Sequence, residues 1–205
     1  MKKYALIIML LPAIWACTYE NDIMDKTVFI PDEENANLPA YTEWGYNSFG
    51  AVYERSYFVS AYDIIPCKIT YRNGVLNFHI SGRIGSRYYD TNEMILTFSF
   101  PTSLVGEYNP INEYMDLMVL HQKEIDLTGT SCEVKMTRNA QAETLSLLSG
   151  RLTFKRAQLL RIDNKENRVI LSGTFDVRFL RNNIPEVISD GRFDFGITDL
   201  YNLSD

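Results

Sequence analysis

The segment Val169-Ile-Leu-Ser-Gly-Thr-Phe-Asp-Val-Arg-Phe179 decides the fold of this chain. Every second position from Val169 to Phe179 is apolar or Gly173, and the positions between them are polar, with Ile170 as the one apolar exception. Alternation with a period of two is typical of a half-buried antiparallel strand. The run exceeds the usual strand length of about 5–6 residues, so we expect a sheet that coils or bends.

The same pattern continues on both sides of this strand. Elements that combine glycine with phenylalanine recur at Gly150–Phe154 and Gly191–Phe195, and together the three strands predict a C-terminal meander. In the last strand, Val187, Phe193, Phe195 and Ile197 are predicted to face inward, opposite Glu186, Asp190, Arg192 and Asp194. The pattern of the first strand breaks at Arg156 and Gln158, which predicts a β-bulge there.

A hairpin loop joins the last two strands of the meander. Arg181-Asn182-Asn183 is the predicted loop, since asparagine tolerates positive φ better than most residues. A three-residue loop would place Arg178 opposite Glu186 as an exposed ion pair.

The rest of the chain adds further short alternating runs, and no segment has the period of an amphipathic helix. Asn73-Gly74, between two alternating runs, is a strong signal for a hairpin. The total of about ten strands predicts an all-β antiparallel fold, mostly a meander, that forms a sandwich or a flattened, lipocalin-like barrel. We expect residues 43–205 to form a single domain.

Residues 1–16 are predicted to be a lipoprotein signal peptide. Lys2 and Lys3 form a short positive region, and the apolar run after them is too short to span a bilayer comfortably. Ile14-Trp-Ala-Cys17 resembles the bacterial lipobox, in which cleavage precedes a cysteine that then carries the lipid. Lipidation of Cys17 would anchor the protein stably in a membrane. The alternative is an ordinary signal peptide followed by a stray cysteine.

Residues 17–42 are predicted to be an acidic, flexible tether, because acids and prolines punctuate a stretch without periodicity. The dispersed acids after Cys17 resemble the surface-export signal of Bacteroidota lipoproteins, and the alternative is a plain linker that faces the periplasm. We therefore expect an outer-membrane lipoprotein on either the periplasmic or the cell-surface face.

The chain carries a net negative charge, so we expect an acidic surface. Removal of residues 1–16 takes away Lys2 and Lys3 and no acid, so the net charge falls from −6 to −8. Such a surface argues against nucleic acid as a partner and against basic docking on anionic lipid.

An aromatic stretch follows the tether and supplies the candidate binding residues Trp44, Tyr46, Tyr53 and Tyr57. Exposed aromatic rings could stack on a sugar. The alternative is that these residues belong to the core and the strand edges, as aromatic residues in β-proteins often do.

The residue pattern contains no catalytic signature. His79 and His121 are isolated within strand patterns, without cysteines or carboxylates at the spacing of metal ligands. Asp176 and Asp194 resemble a carboxylate pair, but neighbouring arginines predict a solvated network of ion pairs instead. We assign no catalytic residue, metal ligand or cofactor.

Two cysteines remain after Cys17. Cys67 and Cys132 both fall in the apolar phase of their strands and are expected to point inward. They could be free thiols or a disulfide, which the oxidising compartment allows.

Two segments of the chain carry a resemblance to a family. Ser172-Gly-Thr-Phe, followed by a final strand with Gly191-Arg-Phe-Asp194, resembles the C-terminal end of small Bacteroidota lipoproteins of unknown function. With the lipobox, the likeness covers the two ends of the chain. It implies an exported, lipid-anchored β-domain and transfers no site residues.

Two functional hypotheses follow. The first is a non-enzymatic, lipid-anchored envelope protein that binds a ligand or partner, such as a glycan or an outer-membrane protein. The alternative is an envelope-associated hydrolase of polymeric substrates, which needs a cleft that joins His79 or His121 to acidic and hydroxyl groups. A structural or assembly subunit is a further variant of the first.

Overall fold

The structure is a computed structural model, and it describes residues 27–61, 64–85, 92–106, 114–162, 165–198 and 203–204. The predicted signal peptide, Cys17 and the first part of the predicted tether lie outside the described residues. Within the described part, no helix combines the length and the apolar character needed to cross a membrane.

Twelve strands form one sheet, and the only helices among the described residues are two short 3₁₀ helices, Thr102–Val105 and Tyr114–Leu120. The strands are β1 Ser48–Tyr53, β2 Ser56–Val59, β3 Cys67–Arg72, β4 Val75–Ile84, β5 Glu93–Pro101, β6 Lys123–Asp126, β7 Glu133–Arg138, β8 Gln141–Thr144, β9 Ser146–Ile162, β10 Lys165–Arg181, β11 Ile184–Ile197 and β12 Leu203–Ser204. The predicted all-β fold is confirmed.

The sheet runs β6-β9-β10-β11-β1-β2-β4-β5-β7-β8, with β3 also on β4 and β12 on β3. All pairs are antiparallel except the short pairing of β12 with β3. The sheet curls into a half-barrel. One residue, Leu145, separates β8 from β9, so the same run of chain pairs with β7 at one end and with β10 at the other.

Phenylalanine fills the inside of the half-barrel. Of the eleven phenylalanines in the chain, ten are less than 2% exposed. Phe78 on β4 contacts Phe154 on β9 and Phe193 on β11, at ring-centroid distances of 5.4 and 5.2 Å. Phe98 on β5 reaches Phe175 on β10 at 5.4 Å. These contacts cross the interior and stabilise the curved shape of the sheet, since aromatic pairs at such distances contribute stability in addition to that from the burial of their surface.

The predicted inward face of β10 is confirmed: its apolar residues from Val169 to Phe179 are at most 1% exposed. A Cβ added to Gly173 would lie 2.0 Å from the Thr153 carbonyl oxygen and 2.7 Å from the Phe193 ring. Only glycine fits there, because the Thr153 carbonyl group and the Phe193 ring occupy the space that a side chain would need.

The hairpin between β10 and β11 differs from the expectation. Arg181 pairs with Ile184, so the loop has two residues, Asn182 and Asn183, with φ of 51° and 64°. Positive φ at both positions is the geometry of a type I′ turn. The Asn73-Gly74 hairpin is confirmed and has positive φ at both residues as well.

This shorter loop shifts the register of the hairpin. Arg178 lies opposite Val187, and Glu186 lies opposite Phe179, so the predicted Arg178–Glu186 pair is wrong. The register of β11 also shifts before Gly191, where Asp190 has a φ of 54°. This bulge changes the phase of the strand, so Ile188 is buried at 0% exposure and Val187, predicted to face inward, is not.

The predicted bulge in β9 is present. Ser172 pairs with Arg156 and Gly173 with Phe154, which leaves Lys155 as the extra residue. Because of this extra residue, Ala157 faces the core like Phe154, although the two residues are three positions apart.

Residues 27–47 form a strap that lies on the outer face of the sheet. Leu38 is 1% exposed, and a Cβ added to Gly50 would lie 2.3 Å from Pro39 Cδ. Arg192 on β11 donates to Asp32 at 2.7 Å. Residues 27–42 of the predicted flexible tether are therefore packed against the domain.

Buried polar groups hold the strap in place. Asp194 on β11 is 2% exposed and accepts four hydrogen bonds from the strap. Its donors are Thr42 Oγ1 at 2.6 Å, Gly45 N at 2.7 Å, Trp44 N at 3.0 Å and Tyr46 N at 3.3 Å. The prediction that Asp194 belongs to a solvated ion-pair network is wrong, because the strap removes this carboxylate from water.

Candidate functional site

The four predicted binding aromatics do not form one platform. Trp44 is 68% exposed and lies on the strap with Tyr46, which is partly buried. Tyr57 lies on β2 opposite Val52 and is partly buried as well. Tyr53 is 7% exposed and belongs to the core. Of the four, Trp44 has the ring most available for stacking.

Tyr53 has a structural role at one end of the half-barrel. Its hydroxyl donates to Glu186 Oε2 at 2.6 Å. Burial, and then the hydrogen bond to Glu186, raise the pKa of Tyr53 to about 12.

The two histidines are held by neighbouring groups in different parts of the fold: His79 is on β4 as predicted, whereas His121 is not in a strand but in the turn after the 3₁₀ helix Tyr114–Leu120. His79 on β4 has Thr97 Oγ1 at 2.9 Å from Nδ1 and Thr70 Oγ1 at 3.4 Å from Nε2. Burial, with Lys68 nearby, lowers the pKa of His79. His121 is exposed, and its Nδ1 accepts a hydrogen bond from Ala157 N at 3.2 Å. His79 therefore links β4 to β3 and β5 through the two threonines, whereas His121 binds the backbone of β9.

Cys67 and Cys132 are both free thiols. Cys67 is 0% exposed, and burial raises its pKa well above the usual range. Cys132 is partly buried, and burial, with the Asp126 carboxylate nearby, raises its pKa too. The expectation that both point inward holds fully for Cys67 and partly for Cys132.

A depression of about 580 Å³ lies on the outer face of β6, β9, β10 and β11, and we call it the outer cavity. Its volume is in the range of about 300–1,000 Å³ that small-molecule sites occupy. Five charged residues line it, listed here in strand order: Glu124, Asp126, Arg151, Asp176 and Arg178. Sequence reasoning missed this site because its residues come from four strands whose register the pattern does not determine.

The register of the sheet creates a charged row across the outer cavity. Arg151 on β9 lies between Asp126 on β6 and Asp176 on β10. Arg151 Nε pairs with Glu124 Oε1 at 3.3 Å. Asp126 Oδ1 accepts from Thr128 Oγ1 at 2.6 Å and from Thr128 N at 2.9 Å, and these bonds lower the pKa of Asp126.

Two charged groups of the outer cavity stay open to a ligand. Asp176 and Arg178 are both exposed and lie two residues apart on the same face of β10. Within the described ranges, no side-chain hydrogen bond or ion pair joins them to each other or to a third residue. The predicted pairing among Asp176, Arg178, Arg192 and Asp194 is wrong, since Arg192 binds Asp32 and Asp194 binds the strap.

The strap and the outer cavity occupy different parts of the same strand. Ser172 on β10 is 0% exposed, and the Tyr41 hydroxyl of the strap lies 3.4 Å from its Oγ. Asp176 and Arg178, farther along β10, are open. The strap therefore leaves the cavity end of β10 uncovered.

A second depression of about 620 Å³ lies beside the β7–β8 hairpin. Arg138, Glu143 and Arg181 line it, and Arg181 Nε donates to Glu143 Oε2 at 3.1 Å. Since Arg181 and Glu143 already pair, this depression offers fewer open groups than the outer cavity.

Among the residues that the structure describes, no group of three or more histidines, cysteines or acids is placed to hold a metal ion. No family model, curated protein or solved structure matches the chain. The resemblance to Bacteroidota lipoproteins stays a prediction.

Proposed function

We propose that this chain is a non-enzymatic, lipid-anchored cell-envelope protein that binds a ligand or an envelope partner on the outside of its β-sheet. The observation that carries this proposal is the filled interior. Ten buried phenylalanines occupy the inside of the half-barrel, where a lipocalin-like protein would hold its ligand. The outer cavity provides open polar groups instead.

The anchor at Cys17 restricts where the domain can sit. If the lipid is attached there, at most ten residues separate it from the docked strap, whose first described residue is Thr27. Ten residues span at most about 35 Å when fully extended. A flexible tether that continued to residue 42 would reach more than twice as far. The docked strap therefore favours a domain held close to the outer membrane, on its periplasmic or cell-surface side.

The anchor is tested by changing Cys17→Ser and following the protein through membrane fractionation. We expect the variant to leave the membrane fraction, because the attached acyl chains supply the membrane affinity. Cys132→Ser is the matched control and should stay with the membrane. An unchanged distribution of the Cys17→Ser variant would reject the anchor.

The hydrolase alternative finds less support in the described residues. Neither His79 nor His121 lines the outer cavity. The cavity does hold Asp126 and Asp176 on either side of Arg151, but a general acid at neutral pH needs a raised pKa. Thr128 lowers the pKa of Asp126 instead. We therefore favour binding over hydrolysis.

Binding is tested with the full mature chain carrying Cys17→Ser, which removes the lipid and leaves the strap intact. It is applied to glycan arrays and to envelope extracts, beside the same chain with Arg178→Gln. Retention that depends on Arg178 supports a function at the outer cavity. If neither the arrays nor the extracts give retention, the binding function is rejected.

A further inference from the structure

We propose that the outer cavity binds a carboxylated saccharide, with Arg178 as the partner of the carboxylate and Asp176 as an acceptor for sugar hydroxyls. This inference rests on the binding function proposed above and gives it a site and a ligand class.

Arg178 is the open cation of the cavity. Its neighbours across the sheet are Ser149 on β9 and Val187 on β11, neither of which is acidic. The other lining arginine, Arg151, already pairs with Glu124. A guanidinium presents its donors as a planar fork that matches the two oxygens of a carboxylate, so a ligand carboxylate is the natural partner of Arg178.

Asp176 adds a second requirement to the ligand. Two residues along a strand correspond to about 6.5–7 Å, so Asp176 lies within the length of one sugar ring from Arg178. An ionised carboxylate only accepts hydrogen bonds, and it therefore needs donors on the ligand. A ligand that carries a carboxylate and several hydroxyls meets both requirements.

Three hydroxyl groups also line the cavity. They belong to Thr128, Ser149 and Ser189. Thr128 Oγ1 already donates to Asp126 and Ser189 Oγ to Asp190, so these two hydroxyls can accept hydrogen bonds from sugar hydroxyls. A serine hydroxyl such as that of Ser149 can both donate and accept.

The charges of the cavity exclude simpler ligands. Three lining acids, Glu124, Asp126 and Asp176, face two arginines, so a ligand with several negative charges and no donors would be repelled. None of the described lining residues is aromatic, so recognition by ring stacking does not apply here. An acidic peptide is the competing ligand, and the three hydroxyls favour the saccharide.

The test is calorimetric titration of the mature chain with Cys17→Ser. The probes are D-glucuronate and trigalacturonate as carboxylated saccharides, D-glucose as the neutral sugar, and the dipeptide Gly-Glu as the acidic peptide. We expect saturable binding of the carboxylated saccharides. Arg178→Gln should weaken it about tenfold or more, because a charged, bidentate pair is lost. Asp176→Asn should weaken it as well.

Arg72→Gln is the matched control, since Arg72 is an exposed strand arginine on β3 that does not line the cavity. Its affinity should equal that of the parent, and all variants should melt within a few degrees of it. Equal binding of D-glucose, tighter binding of Gly-Glu, or an unchanged affinity of Arg178→Gln would overturn the proposal. The proposal would also be overturned if neither of the two carboxylated saccharides bound saturably. If those probes fail while Cys17 anchoring and retention by envelope extracts hold, the saccharide is rejected and the broader binding function stands.

Discussion

Changing Asp194→Asn is expected to undo the docking of the strap. Gly45 N donates to Oδ1 of Asp194, whereas Thr42, Trp44 and Tyr46 donate to Oδ2. An asparagine keeps one oxygen and turns an NH₂ group toward the other donors. A hydrogen bond to a charged group contributes about 1.5–3 kcal/mol, and Asp194 is only 2% exposed, so little solvent screens the loss. We expect a cost of about 3–5 kcal/mol in the free energy of unfolding.

Denaturant unfolding measures this cost, and hydrogen exchange at the Gly45 amide locates it. Asp176→Asn is the matched control, because Asp176 is exposed on the neighbouring strand. Its effect should stay within about 0.5 kcal/mol. If Asp194→Asn costs less than about 1 kcal/mol and the Gly45 amide stays protected, the carboxylate does not hold the strap.

Three further predictions concern the scaffold. Gly173→Ala should destabilise the domain by more than about 3 kcal/mol, because the added Cβ would lie 2.0 Å from a carbonyl oxygen. In the control Gly74→Ala the added Cβ would have no neighbour within 4 Å, and we expect a cost of about 1 kcal/mol for the φ of +79°. Equal effects of the two changes in denaturant unfolding would contradict this prediction. Tyr53 has its pKa raised to about 12, above the ordinary value of 10.0, so the stability it contributes is complete below pH 10 and is lost as the pH rises toward 12. Ultraviolet titration of the parent and Tyr53→Phe checks it, and a Tyr53 hydroxyl that ionises near pH 10 in the folded state would contradict it. Under native conditions iodoacetamide should modify Cys132 slowly and leave the buried Cys67 untouched, as read by mass; faster reaction at Cys67 would contradict the burial.

The sequence predicted the class of the fold and the inward face of β10, because both depend on local alternation. The sequence-based prediction was wrong where a single residue in a loop or a bulge determines which side chains of a strand face the core. The loop at Asn182-Asn183 is one residue shorter than predicted, and this alone moved Glu186 from Arg178 to Phe179. The bulge at Asp190 replaced Val187 by Ile188 in the core. An alternating pattern cannot reveal the loop length or the position of a bulge, and a shift of one residue turns every following side chain to the other face of the sheet.

The outer cavity could not be predicted for a related reason. Asp126 and Asp176 are 50 positions apart in the chain, and only the pairing of both strands with β9 brings them to either side of Arg151. The sequence shows which face each residue occupies but not which strands are neighbours. Side chains that become neighbours only through the pairing of several strands therefore leave no pattern in the sequence, whereas an aromatic stretch is local and visible in it.

The strap, in contrast, left a signal in the sequence. Ile170 is the one apolar residue on the polar face of β10, and it is 4% exposed. Its partner across the sheet is Gly196, and a Cβ added to Gly45 of the strap would lie 3.2 Å from Gly196 Cα and 3.5 Å from Ile170 Cγ1. Glycine on both sides lets the two backbones approach, and Ile170 then loses its contact with water. An apolar exception on a polar strand face, beside a glycine on the next strand, thus indicates that a second layer of chain covers the sheet at that point.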